Sequence, residues 1–178
     1  MNAMKSYVYC PLCGSRHFFE DSFKSRRCMT CGFEMFVNPS AAVAAFITNS
    51  AGELLLTRRR SDPAKGTLDL PGGFCDMEES AEQAVMREVA EETGLRVTCA
   101  RYLFSIPNSY HFSGIDIPTL DLFFCCEVAE GAQPTPMDDA EECLWVPADK
   151  LDKSLFGLKS IRQAVGKYTE SIKKNLKN

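Results

Sequence analysis

The stretch from Pro71 to Leu95 constrains the fold more than any other part of the chain. Pro71-Gly72-Gly73 interrupts regular structure, Ser80 and Gln83 stand at the spacing of a helix capping box, and Gly94 supplies the kind of residue on which helices end. A helix is therefore expected between Ser80 and Gly94. Within it, Ala81, Ala84, Val85 and Val89 form an apolar stripe that needs burial. Glu88, Glu91 and Glu92 project within an arc of roughly 100° at the edge of that stripe. Like charges at these spacings cost about a few tenths of a kcal/mol per pair on an exposed helix. A divalent cation reverses the sign, and hard oxygen donors favour magnesium or manganese. The alternative is an acidic face bathed in solvent. Three features oppose it. The Gly-Gly turn leaves a backbone carbonyl free to join the carboxylates, Arg87 can pair with Glu91 and, across the loop, with Glu79, and the helix closes at Gly94 directly after its acidic residues.

Around this unit the chain alternates apolar runs with turn signals. Residues 41–47 and 53–57 read as a hairpin joined by Asn49-Ser50-Ala51-Gly52. Residues 67–70 lead into the Gly-Gly turn. Strands are expected at 97–106 and 120–128, separated by a long polar loop over 107–118, with a short strand at 144–146 and a terminal helix with a basic end over 158–176. Interleaved strands and helices imply an α/β chain with a mixed sheet covered by helices.

Residues 7–36 are different in character. They lack aliphatic periodicity, and Cys10-Pro11-Leu12-Cys13-Gly14 and Cys28-Met29-Thr30-Cys31-Gly32 place two C-x-x-C-G units in one short segment. That spacing suits a four-thiolate zinc site, which can supply folding free energy that so few aliphatic residues cannot. Each glycine allows a positive φ, turning backbone N–H groups toward the sulfurs. Free thiols or redox pairs are the competing reading, but nothing nearby resembles a redox βαβ unit. Arg16, Lys24, Arg26 and Arg27 give the segment a positive bias, which can help dock a nucleotide or nucleic acid but reads more simply as a solvated rim. Asn38-Pro39-Ser40 marks the boundary, so we expect a zinc ribbon at 1–38 and a second domain at 39–178. Cys75, Cys99, Cys125, Cys126 and Cys143 read as small buried residues.

The spacing Gly73, five residues, Glu79, seven residues, Arg87-Glu88-Val89-x-Glu91-Glu92-x-Gly94-Leu95 resembles the complete signature of the Nudix hydrolase family. The resemblance implies an α/β/α sandwich and metal-dependent cleavage of a nucleoside diphosphate linked to another moiety. Carried over position by position, Glu88, Glu91 and Glu92 become Mg2+ or Mn2+ ligands with the Gly72 carbonyl beside them, and Glu79 and Arg87 become a bracing pair. Family members often draw a further carboxylate from a later loop. Here the acidic stretch 138–142 reads equally as a solvated turn or as the source of a base, with Glu141 or Glu142 preferred.

A zinc ribbon before such a domain is similar to the arrangement in NADH pyrophosphatases and related hydrolases, which implies a dinucleotide or nucleotide sugar of the NADH, FAD or ADP-ribose type. Ser105-Ile106-Pro107-Asn108-Ser109 matches the NADH pyrophosphatase array only in fragments, and the extra N-terminal region usual in those enzymes does not precede the ribbon, so NADH itself is not implied. Phe104 and Tyr110 can stack on a base or pack locally, and His111 can contact phosphate or serve structure. Arg58, Arg59 and Arg60 are phosphate candidates or a solvated charge run. A net charge of -4 gives no global basic surface, so nucleic acid is not expected as a partner. No apolar run reaches membrane-spanning length, and a cytoplasmic protein acting on a small nucleotide is expected, with a homodimer left open. Two other classes stay in view. One is a catalytically idle nucleotide sensor, which the intact glutamates disfavour, and the other an RNA-directed protein using the ribbon, which the acidic balance disfavours.

Overall fold

The computed structural model describes residues 3–175 and divides them into two compact units. The first comprises Met1–Ser40 together with Ser109–Thr119, and the second Ala41–Asn108 and Leu120–Asn178.

In the first unit a short helix α1 (Ala3–Ser6) precedes an antiparallel sheet of β1 (Phe18–Ser22), β2 (Ser25–Cys28) and β3 (Glu34–Phe36). Its core is small: Cys10, Phe18 and Cys28 are buried, with Phe33 and Met35 against them. Arg26, expected on a solvated rim, is instead buried, and its guanidinium donates to the carbonyls of Met4 at 3.0 Å and Phe18 at 2.5 Å. Those two carbonyls accept from a cation that so thin a core would otherwise leave exposed. Arg27 pairs with Glu34 at 3.0 Å.

The second unit is the layered body. Strands β4 (Ser40–Ile47) and β5 (Glu53–Arg59) are followed by β6 (Leu68–Asp69), helix α2 (Ala81–Thr93), the long strands β7 (Val97–Phe112) and β8 (Ile115–Val128), whose tip over Ser109–Thr119 is counted with the first unit, β9 (Ala140–Pro147) and helix α3 (Lys159–Asn175). The sheets run in the orders β4-β8-β7 and β6-β5-β9. Alternate residues of β4, β5 and β9 face opposite ways, and both faces are covered. Val43, Ala45, Ile47 and Leu55 pack on Ala84, Val85 and Val89 of α2, whereas Ala44, Phe46, Leu54 and Leu56 pack on Ile161, Ala164 and Val165 of α3. This is why β4 reads as a continuous apolar run, and it gives the α/β/α layering.

Three expectations need correction. Strands β4 and β5 do not form a hairpin: one bridge, Thr48 with Leu54, joins them, and they belong to different sheets. The edge of β4 is taken instead by the segment after β6, through Val43 N to Gly73 O (2.8 Å), Ala45 N to Pro71 O (2.8 Å) and Cys75 N to Ala41 O (3.1 Å). The expected polar loop over 107–118 is instead strand, turned by Ser113 and Gly114 at φ 50° and 76°. A two-residue turn with both φ positive matches the twist of paired strands, and Pro107 is tolerated because β7 is an edge strand. The strand expected at 144–146 begins earlier, at Ala140, and so includes Glu141 and Glu142. The basic end expected for the terminal helix lies outside the residues whose side chains are described.

Candidate functional site

The site is built where one segment passes between the two sheets of the second unit. Leu68 and Asp69 pair with β5, and the chain from Pro71 to Cys75 then pairs with β4. Gly72 sits at the crossing. A Cβ there would overlap the Val43 carbonyl oxygen and lie 2.8 Å from Ala44 Cα, both backbone atoms that cannot yield, so only glycine fits. At Gly73 a Cβ would stand 2.5 Å from Glu88 Oε1, so the second glycine leaves room for a carboxylate.

Helix α2 delivers that carboxylate with its ends fixed. Ser80 and Gln83 form the reciprocal capping box, and Gly94 closes the helix at φ 67° with its N–H on the Ala90 carbonyl. Glu92 is buried, and its Oε2 accepts from the Gly72 N–H at 3.1 Å. Arg87 organises the others. Its Nε and Nη2 donate to both oxygens of Glu79 at 3.0 and 2.9 Å, its Nη1 to Glu88 and Glu91 at 2.9 Å each, and its Nη2 also to the Phe74 carbonyl at 3.0 Å. The pairing of Arg87 with Glu79 and Glu91 is the one the spacing predicts, and Glu88 joins it.

The electrostatics separate these carboxylates. Arg87, helped by the Asp76 N–H, holds Glu79 below the usual carboxylate range. Burial pushes Glu88 up against the pull of Arg87, with Glu91 and Asp138 adding to the rise. Glu92 is pushed up to about 8, first by burial and then by the charges of Asp69 and Glu88, against the opposing Gly72 N–H and Arg59. Desolvated carboxylates of this kind need a proton or a cation. Hard oxygen donors beside an open glycine backbone suit a divalent cation of the magnesium class, and the gap over Gly73 is where the Glu88 carboxylate has space. The three glutamates are not drawn to one point, however: Glu92 holds Gly72, while Glu88 and Glu91 hold Arg87.

The remaining expected residues are placed as follows. Arg58 Nε donates to Glu142 at 2.8 Å, which makes Glu142 an ion-paired strand residue rather than part of a free loop. Glu141 is exposed at the register shift opposite Arg58 and Arg59. Arg59 does not stand free for phosphate: its Nη1 is 2.7 Å from Asp69 and its Nε donates to the Pro63 carbonyl. Phe104 lies within β7, not in a loop, with its ring 5.2 Å from that of Phe123 and the Lys167 ammonium 5.0 Å from its centroid. Core packing claims the ring that a base-stacking role would need. In the hairpin tip, Tyr110 stacks with Phe112 at 6.5 Å and His111 Nδ1 lies 2.7 Å from Asp116, so His111 has a local partner. Sequence reasoning missed Asp69, a buried acid near Glu92, and the group formed by half-buried Asn108 with buried Asp121 and Ser160, in which Asn108 Nδ2 donates to both others at 2.9 and 3.1 Å. A lone acid inside the apolar run Leu68-Asp69-Leu70 was the available signal for the first.

In the first unit the sulfurs of Cys10, Cys13, Cys28 and Cys31 all lie within 4.8 Å of one another, with Cys10 to Cys31 at 3.8 Å and Cys13 to Cys28 at 3.6 Å. Four sulfurs each 2.3 Å from a zinc at a tetrahedral centre stand roughly 3.8 Å apart. Gly14 and Gly32 take φ of 72° and 77° as the spacing requires. Burial pushes the Cys28 thiol up, but the backbone N–H groups of Cys31 and Thr30, with the Cys13 and Cys31 sulfurs, outweigh it and hold Cys28 down to about 6. Within the same cluster the Cys13 thiol is pushed up to about 12 and that of Cys31 is raised, so the four sulfurs share their charge unequally. The cluster is compatible with a zinc ribbon.

Among the described residues no helix is long and apolar enough to cross a membrane. The NUDIX domain family matches residues 38–165. The chain is 31% identical over 152 residues to a NAD-capped RNA hydrolase NudC of Deinococcus radiodurans, covering 83% of this chain and 51% of that one. It is also 31% identical over 126 residues to an ADP-ribose pyrophosphatase of Methanocaldococcus jannaschii, covering 70% and 71% respectively. The chain thus spans about half the length of the NudC relatives it matches. A NUDIX hydrolase structure from Nitrosomonas europaea superposes with a TM-score of 0.70 over 91% of this chain and 90% of its own at 20% identity, a likeness of fold. With a glycine crossing, a capped glutamate helix and a family match over most of its length, the chain belongs to the Nudix family.

Proposed function

We propose that the protein hydrolyses the pyrophosphate bond of a nucleoside diphosphate linked to another moiety, with a dinucleotide or nucleotide sugar as substrate. The observation that carries this reading is the junction of Gly72 with Glu92, which seats a buried, charge-strained carboxylate against open backbone. Glu88, Glu91, Glu92 and the Gly72 carbonyl would hold Mg2+ or Mn2+. Such a cation supplies charge neutralisation at the bridging phosphates and lowers the pKa of a coordinated water. Arg87 and Glu79 orient the glutamates and do not touch substrate. Glu141, exposed beside the register shift in β9, is better placed to take a proton than Glu142, which Arg58 neutralises. The four cysteines would hold one structural zinc. The family resemblance and the relatives' names support this reading, and a cytoplasmic site of action belongs to it.

The names of the NudC relatives favour one extension of the substrate class, an RNA capped with a dinucleotide, which the acidic net charge alone had argued against. The test is incubation with NADH, FAD, ADP-ribose, nucleoside triphosphates and NAD-capped RNA in the presence of magnesium, with products identified by mass spectrometry. Release of mononucleotides from a dinucleotide or nucleotide sugar is expected. Turnover of the triphosphates alone would refute the substrate class.

A further inference from the structure

On the face of the β4-β8-β7 sheet that packs against α3, Ile106 of β7 and Phe123 of β8 belong to the apolar core, and each stands two positions from a polar residue of the same face, Asn108 and Asp121. Asn108 Nδ2 donates to Asp121 Oδ2 at 2.9 Å and to Ser160 Oγ, in the first turn of α3, at 3.1 Å. Both amide hydrogens are therefore engaged by buried partners, while Asn108 itself is half-buried. A carboxylate accepts and does not donate, so Asp121 decides which end of the amide turns inward. The other end, Oδ1, has no hydrogen-bond partner among the described residues and is not buried. It is an open acceptor of fixed direction.

Its place relative to the Gly-Gly crossing follows from the sheet. The Pro71 to Cys75 segment hydrogen-bonds one edge of β4, and β8 and then β7 follow on the other. At about 4.8 Å per strand spacing, β8 lies about 10 Å and β7 about 14 Å across the sheet from that segment. Ala44, which Gly72 closely approaches, belongs to the same apolar cluster as Ile106, Phe123 and Ile161. The charge of Asp121 reaches Asp69, three residues before Gly72, in keeping with this placement. A nucleotide with its phosphates at the crossing extends across this distance to its base.

We propose that Asn108 is a specificity-determining residue whose Oδ1 accepts from the exocyclic amino group of the substrate's adenine, with Asp121 and Ser160 as positioning residues that fix the direction of that acceptor. This rests on the proposed cleavage of a dinucleotide or nucleotide sugar, and adenine is the base that NADH, FAD and ADP-ribose share. Hypoxanthine carries a carbonyl oxygen where adenine carries the amino group, and would set two acceptors face to face.

The test is kcat/KM in magnesium for ADP-ribose and NADH, each paired with its counterpart bearing hypoxanthine in place of adenine. The proteins are the zinc-loaded full-length wild type, Asn108→Ala and Asp121→Asn, with the melting temperature of each. An acceptor left without its donor costs about tenfold to a hundredfold, so the wild type should prefer the adenine compounds by at least about tenfold. Asn108→Ala should bring the ratio close to one. Asp121→Asn offers a donor to Asn108 Oδ1 and lets the amide turn over to present Nδ2, so the preference should be lost or reversed. Asn108→Ala, at a half-buried position, decides the matter if Asp121→Asn does not fold. An amide that only ties α3 to the sheet would lower the melting temperature in Asn108→Ala and leave the wild-type preference unchanged. That result, or a wild type that treats both bases alike, overturns the inference and leaves the proposed function standing. Absence of turnover on both pairs overturns the two together.

Discussion

Glu92→Gln in the absence of divalent cations isolates the energetic cost on which the site depends. The Glu92 carboxyl has a folded pKa of about 8 against an ordinary value of 4.5, raised mainly by burial and further by Asp69 and Glu88. Between these values the folded state binds the proton and the unfolded state does not, so this contribution to stability is complete below about 4.5 and is lost as the pH rises through 8. At about 1.36 kcal/mol per pH unit the loss is at most roughly 5 kcal/mol. For a chain of this size that corresponds to an upper bound of about 10–20 °C in Tm. Burial also raises Asp69 and Glu88, which act in the same direction. The assay is thermal unfolding of zinc-loaded protein in magnesium- and manganese-free buffer at steps from pH 5 to 8.5. Wild type should lose several degrees across this range. Glu92→Gln, whose amide oxygen can still accept the Gly72 N–H, should lose much less, and magnesium at pH 8 should raise the wild-type Tm more than that of the variant. Equal slopes for the two proteins would refute the reasoning, because they would show that Glu92 does not carry the desolvation cost.

Three further outcomes are expected. Arg87→Ala should weaken magnesium activation by about 10–100-fold and lower Tm, with part of the rate recovered at high magnesium, since Arg87 orients Glu79, Glu88 and Glu91. A magnesium titration of the rate at fixed substrate checks it. Cys28→Ser should abolish stoichiometric zinc and unfold the first unit while leaving the second folded, as metal analysis and hydrogen exchange would show. Gly72→Ala should cost several kcal/mol or prevent folding, because its Cβ meets rigid backbone of β4, whereas Gly131→Ala, with open space around it but the same demand for positive φ, should cost about 1 kcal/mol. Urea unfolding of both variants makes the comparison.

The parts of the site that the sequence made legible are those whose partners lie close along the chain. The capping box at Ser80 and Gln83, the stop at Gly94 and the reach of Arg87 to Glu91 follow from helix geometry, and Glu79 lies only eight residues away, just before the helix starts. The cysteine spacing is similar in kind, since each C-x-x-C-G knuckle is a local turn. What remained hidden depends on which segments meet in three dimensions. Nothing local says that Arg58 will face Glu142 across 84 residues, or that Arg59 will meet Asp69. A run of three arginines therefore reads as a phosphate site when each has in fact been assigned to a carboxylate or carbonyl of its own fold. The hairpin tip failed for another reason. Pro107 and Pro118 suggested a loop, and the Ser113-Gly114 turn with apolar residues alternating about it was the stronger signal.

The structure also divides three glutamates that helix geometry treats alike. Glu91 lies at the rim, its side chain 47% exposed and 2.9 Å from Arg87, so solvent screens much of its charge. Glu88 is mostly buried yet shares that arginine, so its charge is partly answered within the protein. Among the described residues no cation contacts Glu92: a backbone N–H and the more distant Arg59 are what oppose its desolvation, and they do not prevail. A cation binding to this cluster therefore gains most where the protein itself supplies least, at Glu92. That gradient follows from the crossing of the Gly-Gly segment between two sheets, because the crossing buries one end of the helix face and leaves Arg87 to serve the other. The same crossing admits only glycine at position 72, so the backbone constraint and the charge imbalance have one structural cause.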